Sequence, residues 1–182
     1  NAKMGLICAT PTAGSAGVVS GVLLAVIDRL KLTHQQQLDF LFTAGAFGLV
    51  IANNASISGA EGGCQAEVGS ASAMASAALV AASGGTPDQS AQAVAITIKN
   101  MMGLICDPVA GLVEVPCVKR NALGSSQAFI SADMALAGIR SVIPPDEVIH
   151  AMYQVGRQMP QIFKETAEGG LAVTPTAQRL SK

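Results

Sequence analysis

Tryptophan is absent, tyrosine occurs once, and aromatics make up 3% of the 182 residues. Charge is scarce as well: 13% of residues are charged, the net charge is -1, and His34 and His150 are the only histidines. With neither an aromatic platform nor a basic face, the chain offers nucleic acid nothing to bind. Half of the residues are apolar, which excludes a disordered chain of low hydropathy and high charge. The shortage of aromatics argues against a β-sandwich or barrel, whose strands favour β-branched and aromatic residues at period two. What the sequence has in abundance is small residues, since Ala and Gly fill 50 of the 182 positions. The length suits one domain spanning 1–182, and the start at Asn1 rather than Met suggests a piece of a longer chain.

The mean hydropathy of +0.45 raises the question of a membrane. Residues 4–27, 40–60 and 68–87 carry no charge, and each run is long enough to cross a bilayer. Their contents are wrong for lipid. The first holds the polar, turn-rich run from Cys8 to Ser15, the second ends in Asn53, Asn54, Ser56 and Ser58, and the third carries four serines with little Leu or Ile. No Trp, Tyr or Lys/Arg cluster flanks them. No basic region of the signal-peptide form precedes the first apolar run. The expectation is a domain outside the membrane, with unusually buried helices whose small residues let backbones approach closely.

Turn chemistry brackets the helices. One is expected over 18–30. Thr33-His34-Gln35-Gln36 has the form of a capping box and opens a helix to about 52, ended by Asn53 and Asn54. Another runs over 65–82 and stops at Gly84-Gly85. Thr86-Pro87-Asp88-Gln89 repeats the capping logic, with Pro at the first helical position, for a helix to about 101. Further helices are expected over 125–139 and 144–158, followed by a loose tail over 169–182. The fold class is a compact all-α domain. Four loops at helix ends, 10–17, 53–63, 105–121 and 165–170, carry too much polar chemistry to be plain connectors.

Four cysteines without a secretion signal point away from disulfides. Cys64 follows Gly62-Gly63, Cys106 precedes Asp107-Pro108, and Cys117 follows Pro116. Gly and Pro let the backbone bend several thiolates toward one point. The spacing contains no CxxC knuckle, so a zinc ribbon is unsupported. Three thiolates without a fourth partner suit a [4Fe–4S] cluster with one open iron, whose ligand sulfurs lie roughly 6–7 Å apart. Spacing alone leaves four unconnected core cysteines as the stronger reading. A small-residue helical membrane or transporter fragment, and a structural helical module with incidental cysteines, also stay open.

The polar residues of the loops suggest a site for a small polar ligand. Thr10, Thr12 and Ser15, with the amides around Gly14, form a candidate carboxylate nest. Asn54, Ser56 and Ser58 lead into the Cys64 loop and offer the same donors, or serve as turn and cap residues. Glu61 faces a substrate ammonium or caps the helix after it. Lys119 and Asn121 follow Cys117 and are candidates to line the site, and a Lys acts as a base where desolvation lowers its pKa. Arg120 is of the type that forks onto a carboxylate. Asp107 is expected to turn its loop, Cys8 to pack, and both histidines to be structural.

Four segments carry a resemblance. They are Met4-Gly5-Leu6-Ile7-Cys8-Ala9-Thr10-Pro11-Thr12-Ala13-Gly14-Ser15-Ala16-Gly17, the run from Asn53-Asn54-Ala55-Ser56-Ile57-Ser58-Gly59-Ala60-Glu61-Gly62-Gly63-Cys64 to Gly69, the run from Ile105-Cys106-Asp107-Pro108 to Val115-Pro116-Cys117, and Glu165-Thr166-Ala167-Glu168-Gly169-Gly170-Leu171-Ala172. In order and over essentially the whole chain, these resemble the α chain of the iron–sulfur-dependent L-serine dehydratases, in its C-terminal, cluster-binding part. The resemblance implies an all-helical lyase that converts L-serine to pyruvate and ammonia without pyridoxal phosphate. It implies an oxygen-labile [4Fe–4S] cluster on Cys64, Cys106 and Cys117. It also implies a β chain or β domain as partner, an oligomer, and a cytoplasmic setting. Some family members end in a Cys that reaches back to the cluster, whereas this chain ends Gln178-Arg179-Leu180-Ser181-Lys182. Catalytic candidates are Lys119 and Glu61, with the general base unassigned. Substrate-binding candidates are Thr10, Thr12, Ser15, Asn54, Ser58 and Asn121.

Overall fold

A computed structural model describes residues 5–181. Met4, where the first resembling segment begins, and Lys182 lie outside the described residues. The described residues form eight α-helices in order: α1 Ala16–Leu30, α2 His34–Asn54, α3 Gly59–Gly62, α4 Cys64–Ala82, α5 Pro87–Met101, α6 Cys117–Leu136, α7 Pro145–Gln158 and α8 Pro175–Leu180. Among the described residues the only β pairing is an isolated bridge between Cys106 and Lys164. The expected all-α class is what forms. No helix of the described residues is long and apolar enough to cross a membrane.

Helix α4 is the axis of the domain. Every residue from Cys64 to Val80 is buried, because apart from Gln65 and Glu67 this stretch consists of small and apolar residues and has no polar face to turn outward. Helices α1, α2, α5, α6 and α7 pack around it. Val18, Val22, Phe40, Val68, Ala75 and Ala132 belong to a core shared by α1, α2, α4 and α6. Ile51, Ala73, Val94, Ile98 and Met152 belong to a second core shared by α2, α4, α5 and α7. The serines inside this packing are mostly satisfied locally. Ser72 donates to the Val68 carbonyl at 2.7 Å, Ser76 to Ala73 at 2.9 Å, and Ser90 to Ala77 at 3.0 Å. Such bonds remove most of the cost of burying a hydroxyl.

The small residues set the helix spacing. A Cβ on Gly124 of α6 would stand 2.5 Å from Ser72 Oγ, 2.8 Å from Val68 Cγ1 and 3.2 Å from Val18 Cγ2. Gly124→Ala is expected to overpack the crossing of α1, α4 and α6 and to cost about 1–3 kcal/mol. Gly21 in α1 meets only Ser125 Oγ, at 3.6 Å. Gly21→Ala is therefore expected to stabilise by about 0.5–1 kcal/mol through the helix entropy term alone. Urea denaturation of the two variants checks the opposite signs.

Local chemistry explains most element boundaries. Thr33 and Thr86 each form the expected capping box with Gln36 and Gln89. Two expectations need correction. Helix α6 begins at Cys117, not near 125, although its N-cap Pro116 supplies no side-chain cap. The tail over 169–182 is not loose among its described residues. Residues 170–173 form a 3-10 turn, and Thr174 caps α8 by accepting the Ala177 amide, with Pro175 at the first helical position.

Candidate active site and metal centre

The site lies where three chain segments meet at helix ends. Gly63 has φ 75° and ψ -179°, a conformation essentially restricted to glycine. A Cβ there would stand 2.6 Å from Met159 Sδ and 3.0 Å from the Leu104 carbonyl oxygen. This turn ends α3 and makes Cys64 the first residue of α4. Cys117 is likewise the first residue of α6. Both thiols thus stand at helix N-termini, where the helix dipole places partial positive charge beside them. Cys106 lies in the connection between α5 and α6. Its amide donates to the Phe163 carbonyl at 2.8 Å and its carbonyl accepts from the Glu165 amide at 2.9 Å. The segment 163–165 is thereby held against it.

All three cysteines are buried. The Sγ atoms of Cys64 and Cys106 and a carboxylate oxygen of Glu67 lie within 4.8 Å of one another, a donor set of the kind that holds a metal. Cys117 stands outside that tight group, yet its thiol feels the charges of Cys64, Glu67, Arg120 and Glu165. The Cys64 and Cys106 sulfurs, within 4.8 Å of each other, are closer than the roughly 6–7 Å separating ligands of a cluster.

Glu67 stands one helical turn after Cys64 on the same face. Its Oε1 accepts the Thr12 hydroxyl at 2.6 Å. Thr12 Oγ1 in turn accepts the Ser15 amide at 3.2 Å and lies 2.9 Å from Ser15 Oγ. Asn121 Nδ2 donates to the Gly14 carbonyl at 2.7 Å and to the Cys117 carbonyl at 2.9 Å. One amide thus fastens the 10–17 loop onto α6, while Asn121 Oδ1 is buried without a partner. Gly59 marks the space these groups share. A Cβ there would stand 3.1 Å from Cys106 Sγ and 3.2 Å from both Glu67 Oε2 and Glu165 Oε2. The missing side chain leaves a thiol and two carboxylates facing one small volume.

The electrostatics are uneven across the site. The Cys106 hydrogen bond, then the Arg120 charge, hold the Cys64 thiol below its ordinary pKa despite burial. The hydrogen bond with Cys64, then burial, push Cys106 upward. Burial, followed by the Cys64 charge, pushes Cys117 up to about 11. Burial and then the Glu67 charge raise Glu165. Burial works against the Arg120 charge, but Cys64 and Asp107 more than offset it, so its pKa rises.

The structure brings Thr12, Cys64 and Cys106 together at Glu67, with Ser15 joined through Thr12 and Asn121 through Gly14. Thr10 lies on the same loop, where its hydroxyl donates to the Cys8 carbonyl at 2.9 Å. Other candidates have local bonds. Asn54 Nδ2 donates to the Val50 carbonyl at 2.7 Å, and Ser58 Oγ accepts the Ala60 amide at 3.2 Å. Glu61 Oε2 accepts the Ser56 hydroxyl at 2.6 Å and lines, with Arg157 and Lys164, a cleft of about 400 Å³ beside α3 and α7. Lys119 is exposed on α6. Cys8, expected to pack, is exposed. Asp107 does more than turn its loop: it is 2% exposed and pairs with Arg120 at 2.8 Å. Sequence reasoning missed Glu67 and Glu165. A signal for Glu67 existed, since it is the sole charged residue between Glu61 and Asp88.

A family model described as "Serine dehydratase alpha chain" matches residues 1–172. A "Probable L-serine dehydratase, alpha chain" of Bacillus subtilis is 70% identical over 182 residues, covering all of this chain and 61% of the relative. One of the same name from Latilactobacillus sakei is 61% identical over 176 residues, covering 97% of this chain and 84% of the relative. An "L-serine dehydratase, alpha chain" of Peptoniphilus asaccharolyticus is 50% identical over 182 residues, covering all of this chain and 62% of the relative. The chain spans less than two thirds of the length of the first and third of these. A match over nearly the whole sequence, running through the loops that carry Cys64, Cys106 and Cys117, means that this chain belongs to the serine dehydratase alpha chain family.

Proposed function

We propose that this chain is the cofactor-holding part of an L-serine ammonia-lyase. The observation that carries the reading is the convergence of Cys64, Cys106 and Glu67 on one buried point, with Cys117 beside them at the start of α6. The donors fit a [4Fe–4S] cluster held by Cys64, Cys106 and Cys117, since thiolates are its usual ligands. When bound on three thiolates, such a cluster supplies one iron without a protein ligand, a Lewis acid for the serine hydroxyl.

The chain's own residues do the rest. Dehydration removes the Cα proton and the β-hydroxyl. The enamine then takes up water and leaves as pyruvate and ammonia, with no net redox change. Glu67, fixed by Thr12, and Glu165, held by the Cys106 carbonyl, present two carboxylate groups that suit the ammonium of a zwitterionic amino acid. Thr12 ties the 10–17 loop to Glu67 of α4 and Asn121 ties it to α6, so the carboxylate end of the substrate meets an ordered backbone. Burial of the cysteines excludes bulk water from the ligands. The proposal includes a companion β chain or domain, an oligomeric assembly, no pyridoxal phosphate, and the cytoplasm, whose reducing conditions keep the thiols free.

The test uses the intact protein, purified and assayed without oxygen. L-serine is expected to yield pyruvate. Activity should vanish when iron is stripped, return with ferrous iron and sulfide, and withstand hydroxylamine, which traps pyridoxal phosphate. Turnover that persists in iron-free protein would overturn the reading.

A further inference from the structure

Arg120 plays no part in the function proposed above, yet its guanidinium stands within hydrogen-bond distance of the Cys64 sulfur. Its side chain is 15% exposed, in the first turn of α6. A single nitrogen, Nη1, lies 2.8 Å from Asp107 Oδ1, 2.9 Å from the Ile105 carbonyl oxygen and 3.7 Å from Cys64 Sγ. Asp107 extends the link, since its Oδ2 accepts the Leu171 amide at 2.7 Å. One guanidinium therefore joins the start of α4, the Cys106 loop and the C-terminal segment.

We propose that Arg120 is a positioning residue that donates an N–H···S hydrogen bond to Cys64 and so sets the reduction potential and the retention of the cluster held there. The inference rests on the cofactor proposed above and concerns a residue outside its ligand set. A cation that donates to a ligand sulfur withdraws electron density from it. This stabilises the more negative, reduced form and raises the potential. The same contact also fixes where Cys64 points, because Asp107 and Ile105 hold the guanidinium from the other side. Among the described residues Cys64 Sγ is the one ligand sulfur to which the guanidinium hydrogen-bonds, so the influence is directed at one ligand.

The test compares the intact, cluster-loaded protein with R120M, R120K and the double variant R120M/D107N. Two quantities are read: the midpoint potential by EPR-monitored titration, and the time for the visible absorbance to bleach in air. R120M is expected to lower the midpoint and to shorten the bleaching time by about 10-fold or more, the scale of lost outer-shell contacts. R120K keeps the charge without the rigid fork and should fall between R120M and the unaltered protein. The double variant removes both charges together, so its remaining shift reads the lost N–H···S bond. Far-UV circular dichroism reports folding, and if R120M unfolds, the other two variants decide. A loaded unaltered protein whose variants share its midpoint and bleaching time sinks the role of Arg120 and leaves the cofactor standing. An unaltered protein that takes up no iron and sulfide overturns both.

Discussion

Replacing Cys64, Cys106 or Cys117 by Ser is expected to lower serine turnover by more than ~100-fold, beyond the usual cost of losing an outer-shell partner of a metal ligand. A hydroxyl at any of these positions is a poor ligand for iron, and the loss of one of three leaves the cluster held at two corners. The same variants are expected to weaken the broad absorbance at roughly 400 nm that follows anaerobic reconstitution with iron and sulfide. Cys8→Ser is expected to change neither quantity, because Cys8 is exposed and lies in a different part of the 5–15 segment from the Thr12 and Ser15 contacts. The result that sinks the assignment is equal loss from all four substitutions. Folding is checked by circular dichroism of the metal-free proteins, since ligation energy is also folding energy.

Much of the helical layout was legible in the sequence because its boundaries are chemical. The Thr33 and Thr86 boxes, Pro87, and the Pro144-Pro145 pair each fix a helix start with a side chain or a ring. Helix α6 was misjudged for the opposite reason. Its first two turns read Cys117-Val118-Lys119-Arg120-Asn121-Ala122-Leu123, and neither Pro116 nor any side chain caps them. What fixes them is tertiary: Asn121 fastens to Gly14, and Arg120 to Asp107 and Ile105. Helix α8 carried a readable signal, Thr174-Pro175, with the same cap and first-position proline as α5.

The site divides along the same line. The cysteines could be singled out because Gly or Pro stands beside each, and the resemblance named them as ligands. Glu67 and Glu165 could not be placed from spacing. Glu67 depends on Thr12, which is 55 residues away, and Glu165 reaches the site through the bridge that the Cys106 backbone makes with segment 163–165. Contacts of such separation leave no period or turn motif in the sequence. They exist because α4 is buried all round, so every neighbouring loop must close over its end.

The ion pair beneath the thiols gives the second large effect. Asp107→Ala is expected to destabilise the intact protein by about 3–5 kcal/mol, because it leaves a mostly buried guanidinium without its counter-charge. It also takes the acceptor from the Leu171 amide, which bonds Asp107 Oδ2 at 2.7 Å. The exposed pair Arg140–Asp88, with side chains 64% and 55% exposed, is the control: Arg140→Ala should barely move the denaturation midpoint, since water solvates the remaining carboxylate. The difference between the two pairs does not mean that the buried pair is a large net gain, because desolvating two charges consumes most of their attraction. The double variant D107A/R120M tests that distinction. With no lone charge left behind, it is expected to be more stable than Asp107→Ala alone, a non-additivity readable in urea midpoints. A double variant no more stable than Asp107→Ala alone would mean that the pair itself, and not the stranded charge, holds the Cys106 loop to α6.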